Sequence, residues 1–131
     1  MSIKWIKLLF VVSGIYDALL GAVFLLFGFE VFRHAGVTPP NHIGYIQFPA
    51  LILILFGIMF FRIAGDPGGR SEWIPFGMGL KFAYFGVVFW HEIRGGVPML
   101  WMPWAWADLA FFLLFFAAWR ELRRQDRQPR H

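Results

Sequence analysis

Three charged residues interrupt otherwise apolar stretches of this chain: Asp17, Lys81 and Asp108. A charge at the centre of a bilayer costs at least ~2.5–3.5 kcal/mol, so it normally faces a bundle interior or a cavity and finds a partner there. Two carboxyls and one ammonium form either a structural ion pair that fixes helix packing, or a buried site for a polar ligand or a relayed proton. The set holds one acid more than it has bases, so a proton is expected on one carboxyl at neutral pH. Helical spacing extends each charge into a stripe. Ser13, Asp17 and Gly21 recur four residues apart, with Gly28 close to the same line; Gly77, Lys81, Tyr84, Val88 and His91 recur at steps of three and four; Trp104, Asp108 and Phe115 share a third face. A ligand-binding or proton-relay site is therefore expected at Asp17, Lys81, Tyr84 and Asp108, with His91 at its outer mouth. Asp17 and Asp108 fall near the middle of their runs. Lys81 starts about five residues shallower, or ~7 Å at 1.5 Å per residue. Its flexible stem can reach up to the carboxylates or snorkel to the headgroups.

A second group of polar residues sits near the ends of the same runs: Glu30, His34, His42, Tyr45, His91 and Glu92. Histidines and carboxylates ligate metals, and paired histidines can hold haem iron. No His-x-x-Glu-His or comparable pattern places two of them on one helix face. A metal or haem site is thus disfavoured, with His34, His42, His91 and Glu92 as its low-ranked candidates. The chain has no cysteine, which excludes disulfides, zinc thiolates, thiol redox chemistry and cysteine-held iron–sulfur clusters. No P-loop and no Gly-x-Ser-x-Gly element is present. Gly77 and Gly79 lie within an apolar run without a preceding strand, so they form no dinucleotide fingerprint. No catalytic residue emerges, and the reading leans away from an enzyme. The 17 phenylalanines suit an aromatic-lined pocket for a flat apolar molecule such as a quinone.

What must position these residues follows from composition. The 131 residues are 59% hydrophobic, 21% aromatic and 15% charged, against roughly 25% charged in soluble domains. Such a chain cannot coat a surface facing water. Four apolar runs approach the ~20 residues a crossing helix needs: 8–29, 43–61, 73–90 and 99–119. Turn chemistry separates them: Gly36 with Pro39 and Pro40, then Asp66, Pro67 and Gly68, then Gly95, Gly96 and Pro98. The first run exceeds a typical signal-peptide core and lacks a small-x-small cleavage site, so it reads as a first span. The expected fold is all-α: a single transmembrane domain over residues 1–131, an integral membrane four-helix bundle with short loops and a basic tail from residue 120.

Basic residues set the expected orientation. Lys4, Lys7, Arg62, Arg70, Arg120, Arg123, Arg124, Arg127 and Arg130 fall on the side that holds both termini; Arg33 and Arg94 fall on the other. By the positive-inside rule both termini are cytoplasmic, which accounts for the +4 net charge better than a nucleic-acid arm does. No nucleic-acid partner is expected. Trp5, Trp73, Trp101, Trp104 and Trp119 lie near run ends, where aromatic belts form. An internal repeat is also expected: Ala18, Gly21, Val23 and Phe24 return as Ala83, Gly86, Val88 and Phe89, 65 positions later. Each half would be one helical hairpin, related by an axis along the membrane normal.

Tyr16-Asp17-x-x-x-Gly21, Phe56-Gly57 and Gly79-x-Lys81 resemble elements of the DoxX-like group of small bacterial membrane proteins, which have four helices and about this length. The resemblance implies a bacterial inner membrane location and, from some members, an association with quinol oxidation. It carries no catalytic residue over. The favoured expectation is an accessory or quinone-binding component of a membrane redox system, with the bilayer and redox subunits as partners. The alternatives are a proton-coupled small-solute transporter acting as a homo-oligomer, an enzyme on lipid or isoprenoid, and a purely structural partner protein.

Overall fold

The structure is a computed structural model and describes residues 1–127. Four helices carry the chain: α1 (Ile3–Ala35), α2 (Gly44–Gly65), α3 (Ile74–Arg94) and α4 (Met102–Asp126). All four are long and apolar enough to cross a membrane, and among the described residues there is no strand. The chain is a small multi-pass all-α membrane protein. An internally hydrogen-bonded helix is the economical answer to these sequences, because hydrocarbon offers no partner to an open backbone group.

Each helix end has a local cause. The Ser2 side chain accepts a 3.4 Å hydrogen bond from the Trp5 amide and caps α1. Gly36 ends α1 in the left-handed region at φ 69°, where its N–H and that of Val37 donate to the carbonyls of Arg33 and Phe32. α3 and α4 each follow a single 3-10 turn, Ser71–Trp73 and Met99–Trp101. Pro75 and Pro103 then occupy first-turn positions that need no amide donor.

The helices run past the apolar spans. α1 begins at Ile3 and reaches Ala35, about 50 Å at 1.5 Å per residue, against ~30 Å of hydrocarbon. Its non-helical residue, Phe27 at φ −130°, adjoins Gly28. The basic tail expected from residue 120 is a continuation of α4 through Asp126, where Arg124 pairs with Glu121 at 2.6 Å. Arg130 lies outside the described residues.

Glycines bring α1 and α2 together antiparallel. A Cβ at Gly14 would lie 3.0 Å from the Gly57 carbonyl oxygen; at Gly21, 2.6 Å from that of Ala50; at Gly28, 2.8 Å from the Ile46 side chain. Small residues thus let two backbones touch, as membrane helix pairs require when lipid supplies no hydrophobic drive. α3 and α4 pair antiparallel through larger side chains, including Phe82 with Phe112 and Phe89 with Trp106, at ring separations of 5.6 and 4.8 Å.

Three layers stack along the bundle. At the end holding the termini, a closed core joins all four helices, with Ile74 as the buried contribution of α3. Phe10 stacks on Phe115 at 4.7 Å, Phe60 meets Phe115 edge-on at 5.1 Å, and Ile6, Ile63, Ala118 and Leu122 fill around them. The middle layer holds the three charged residues. Toward the end formed by the α1–α2 and α3–α4 turns, called the distal end below, the helices and the α1–α2 loop line an open cavity.

Candidate functional site

Asp17 from α1, Lys81 from α3 and Asp108 from α4 meet in the middle layer. The Lys81 Nζ donates to Asp17 Oδ1 at 2.7 Å and to Asp108 Oδ1 at 3.2 Å. Asp17 is 0%, Lys81 1% and Asp108 7% exposed, so the pairs lack the solvent screening that weakens surface ion pairs. The lysine stem bridges the depth difference between its own backbone position and the two carboxylates. Aromatic faces surround the ammonium: the Tyr16 and Phe111 ring centres lie 5.0 Å from Nζ and that of Phe60 lies 5.7 Å away. These contacts suit a cation that two carboxylates leave with spare donor capacity.

Above this layer lies a cavity of about 710 Å³, with Asp17 and Asp108 among its lining residues. The volume falls within the range of small-molecule sites, about 300–1,000 Å³. Its walls are largely apolar and aromatic. Phe24, Phe32 and Trp101 form one side as a cluster, with Phe32 edge-on to Trp101 at 5.5 Å. The Tyr84 hydroxyl donates to the Trp101 carbonyl at 3.1 Å, which ties α3 to the turn preceding α4 and fixes that wall. On the α2 side, Pro49 lies inside the helix and lines the cavity with Tyr45. Proline has no amide hydrogen, so the Tyr45 carbonyl loses its usual donor one turn on.

Three polar atoms of the cavity-lining residues are buried without a hydrogen-bond partner: Tyr16 OH, Asp17 Oδ2 and Trp104 Nε1. The Tyr16 and Trp104 rings are neighbours, 6.2 Å apart. Buried polar groups are normally satisfied, so these three atoms, enclosed behind the cavity wall, are exceptions beside the charged layer.

The structure brings together Asp17, Lys81 and Asp108, with Tyr84 on the wall above them. It does not bring His91 to them. His91 is exposed and lies outside the cavity lining. The reason is helical drift: ten residues beyond Lys81, at 3.6 per turn, the face has rotated by about 80°. The distal polar group is dispersed too. Glu30 pairs with Arg33 at 3.2 Å, Glu92 accepts from the Val97 amide at 2.9 Å, and His42 Nδ1 accepts from the Gly44 amide at 2.9 Å. His34 and Tyr45 are exposed. Among the described residues no three His, Asp or Glu gather as metal ligands, so His34, His42, His91 and Glu92 do not form one site.

Sequence reasoning undervalued Tyr16 and Trp104. In the sequence Tyr16 stands out only within the DoxX-like element, and Trp104 both as a belt residue and as a member of the Asp108 face. A signal for Trp104 did exist, since it lies one helical turn before Asp108 on the same face. No family model matches this sequence, and neither a curated protein nor a solved structure matches it.

Proposed function

We propose that this protein holds a flat apolar molecule of the quinone class within the membrane and serves a membrane redox system as an accessory component. One observation carries the reading: a cavity of ligand size with aromatic walls ends on a buried carboxylate layer. Apolar pockets with a few convergent polar groups are the usual form of small-molecule sites. In this reading Asp17 and Asp108 set the polar end, Lys81 holds both carboxylates in place, and Tyr84 keeps the Trp101 wall closed. The DoxX-like resemblance points toward the same chemistry. The bacterial inner membrane, with both termini in the cytoplasm, is the location proposed with it.

The test is native mass spectrometry of the protein extracted gently from its own membrane, alongside Leu53→Trp, which places a large ring into the cavity. The expected result is a bound quinone-sized mass on the wild type that is lost from the variant while helicity by circular dichroism is unchanged. Equal bulk lipid on both, with no discrete ligand, would overturn the reading.

A second reading rests on the same charged layer. Two acids share one base at the floor of a cavity, an arrangement suited to proton-coupled movement of a small solute through a homo-oligomer. It predicts proton flux in proteoliposomes that disappears in Asp17→Asn.

A further inference from the structure

Three of the four helix seams around the cavity are closed along its height. α1 and α2 approach backbone to backbone at Gly21 with Ala50, and Gly28 packs on Ile46. α1 and α4 are joined by Tyr16 with Trp104, and Trp101 of the turn before α4 meets Phe24 and Phe32. α3 and α4 are joined by Phe89 with Trp106 and by the Tyr84 bond to Trp101. The fourth seam differs. α2 and α3 meet at the base, where a Cβ on Gly77 would lie 2.5 Å from the Phe60 ring and the Lys81 ammonium faces that ring. Above that level, among the described residues, no aromatic pair, hydrogen bond or ion pair joins α2 to α3.

The edges of this seam can be named. Phe48 and Ile52 are each two residues from Ala50, so at 3.6 residues per turn they stand about 160° around α2 from its side against α1. Leu80 and Tyr84 are each two residues from Phe82, which packs on α4, so they stand about 160° around α3 from that contact. All four nevertheless line the cavity. Phe48 is also 69% exposed, as a residue at a mouth must be. Ile52 lies eight residues from Gly44 and Tyr84 ten from Arg94, about 12 and 15 Å from the distal ends of their helices. That depth is hydrocarbon rather than headgroup.

We propose that the gap between α2 and α3 is a portal into the bilayer, and that the cavity takes a long-chain lipid of the quinone class whose ring lies inside while its chain passes between Phe48 and Ile52 on one edge and Leu80 and Tyr84 on the other. This rests on the cavity being a ligand site, as proposed above. A cavity of about 710 Å³ then encloses only the ring and the first part of the chain. The rest of the chain stays in the hydrocarbon, so the cost of ordering falls on the enclosed part alone. A ligand dissolved in the membrane reaches the site without crossing water.

Two quinones with the same ring test it, a ubiquinone with a long polyprenyl chain and the same benzoquinone headgroup without a chain. Binding of each to the full chain in lipid nanodiscs would be followed by native mass spectrometry, with empty nanodiscs correcting for partition into lipid. The wild type is expected to bind both. Ile52→Trp should weaken the long-chain quinone about tenfold, within the usual cost of forcing a large group into occupied space, and spare the chainless one. Leu80→Trp, on the opposite edge, should do the same, with helicity by circular dichroism checking that each variant folds. A diazirine on the first unit of the chain should crosslink to α2 and α3. Crosslinks confined to Thr38–Pro40 would place the exit under the α1–α2 loop and overturn the portal. A wild type that binds the chainless quinone but not the long-chain one, or long-chain binding untouched by both variants, would also overturn it and leave the ligand site standing. Failure of both quinones to bind would overturn the ligand-site reading along with the portal.

Discussion

Lys81 is enclosed by two carboxylates and three aromatic rings at 1% exposure. Replacing it with methionine keeps the volume but strands two acids. Removing one member of a buried pair typically costs about 3–5 kcal/mol, so Lys81→Met should lose stability on that scale in a detergent unfolding titration. Adding Asp17→Asn to it should restore part of the loss, because one stranded charge is then gone; strict additivity of the two changes would show that they do not interact. These three residues were legible in the sequence because an isolated charge in an apolar run has few alternatives to burial and pairing. Whether Lys81 would reach upward or snorkel was not legible, since that depends on where the other helices stand. The enclosure of the Tyr16 hydroxyl and the Trp104 indole N–H was not legible either, because it depends on how the helices pack.

Among the elements, the two hairpins are built on different contacts. α1 and α2 meet backbone to backbone at Gly14, Gly21 and Gly57, whereas nothing lies within 4 Å of a Cβ placed at Gly79 or Gly86 of α3. Gly21→Ala should therefore destabilise the fold by about 1–3 kcal/mol through overpacking. Gly79→Ala should be neutral or mildly stabilising, by up to about 1 kcal/mol from helix propensity. Thermal unfolding of both variants in one detergent checks the contrast, and equal effects would refute it. The four helices themselves were plain from apolar run length and from the Gly and Pro turns between runs. Their true ends were not, because charged residues such as Arg120 and Arg123 stop a hydropathy run without stopping a helix. The drift that carries His91 off the Lys81 face shows how spacing arguments weaken beyond two turns.

For the molecule as a whole, the charge bias predicts which end faces which compartment. The chain lacks native cysteine, so single introduced thiols report without background. Asn41→Cys, at the exposed distal end, should react with an impermeant maleimide in intact cells. Ser2→Cys should react only after permeabilisation. The reversed pattern would place the termini outside and invert the proposal. The internal repeat stays a proposal: the structure has two antiparallel hairpins in sequence, and Ala18, Gly21 and Phe24 match Ala83, Gly86 and Phe89 in residue type.

The interlocked Phe10, Phe60 and Phe115 rings make the bundle a vessel with a stopper rather than a pipe. For the proposed guest, that core closes the path toward the termini, so entry and exit would belong to the open side of the cavity. Conduction from one leaflet to the other would demand that three interlocked rings part and that the Lys81 cradle, which includes Phe60, come apart in the same movement. Shrinking the stopper with Phe115→Ala should thus open a leak, measurable as solute escape from loaded liposomes.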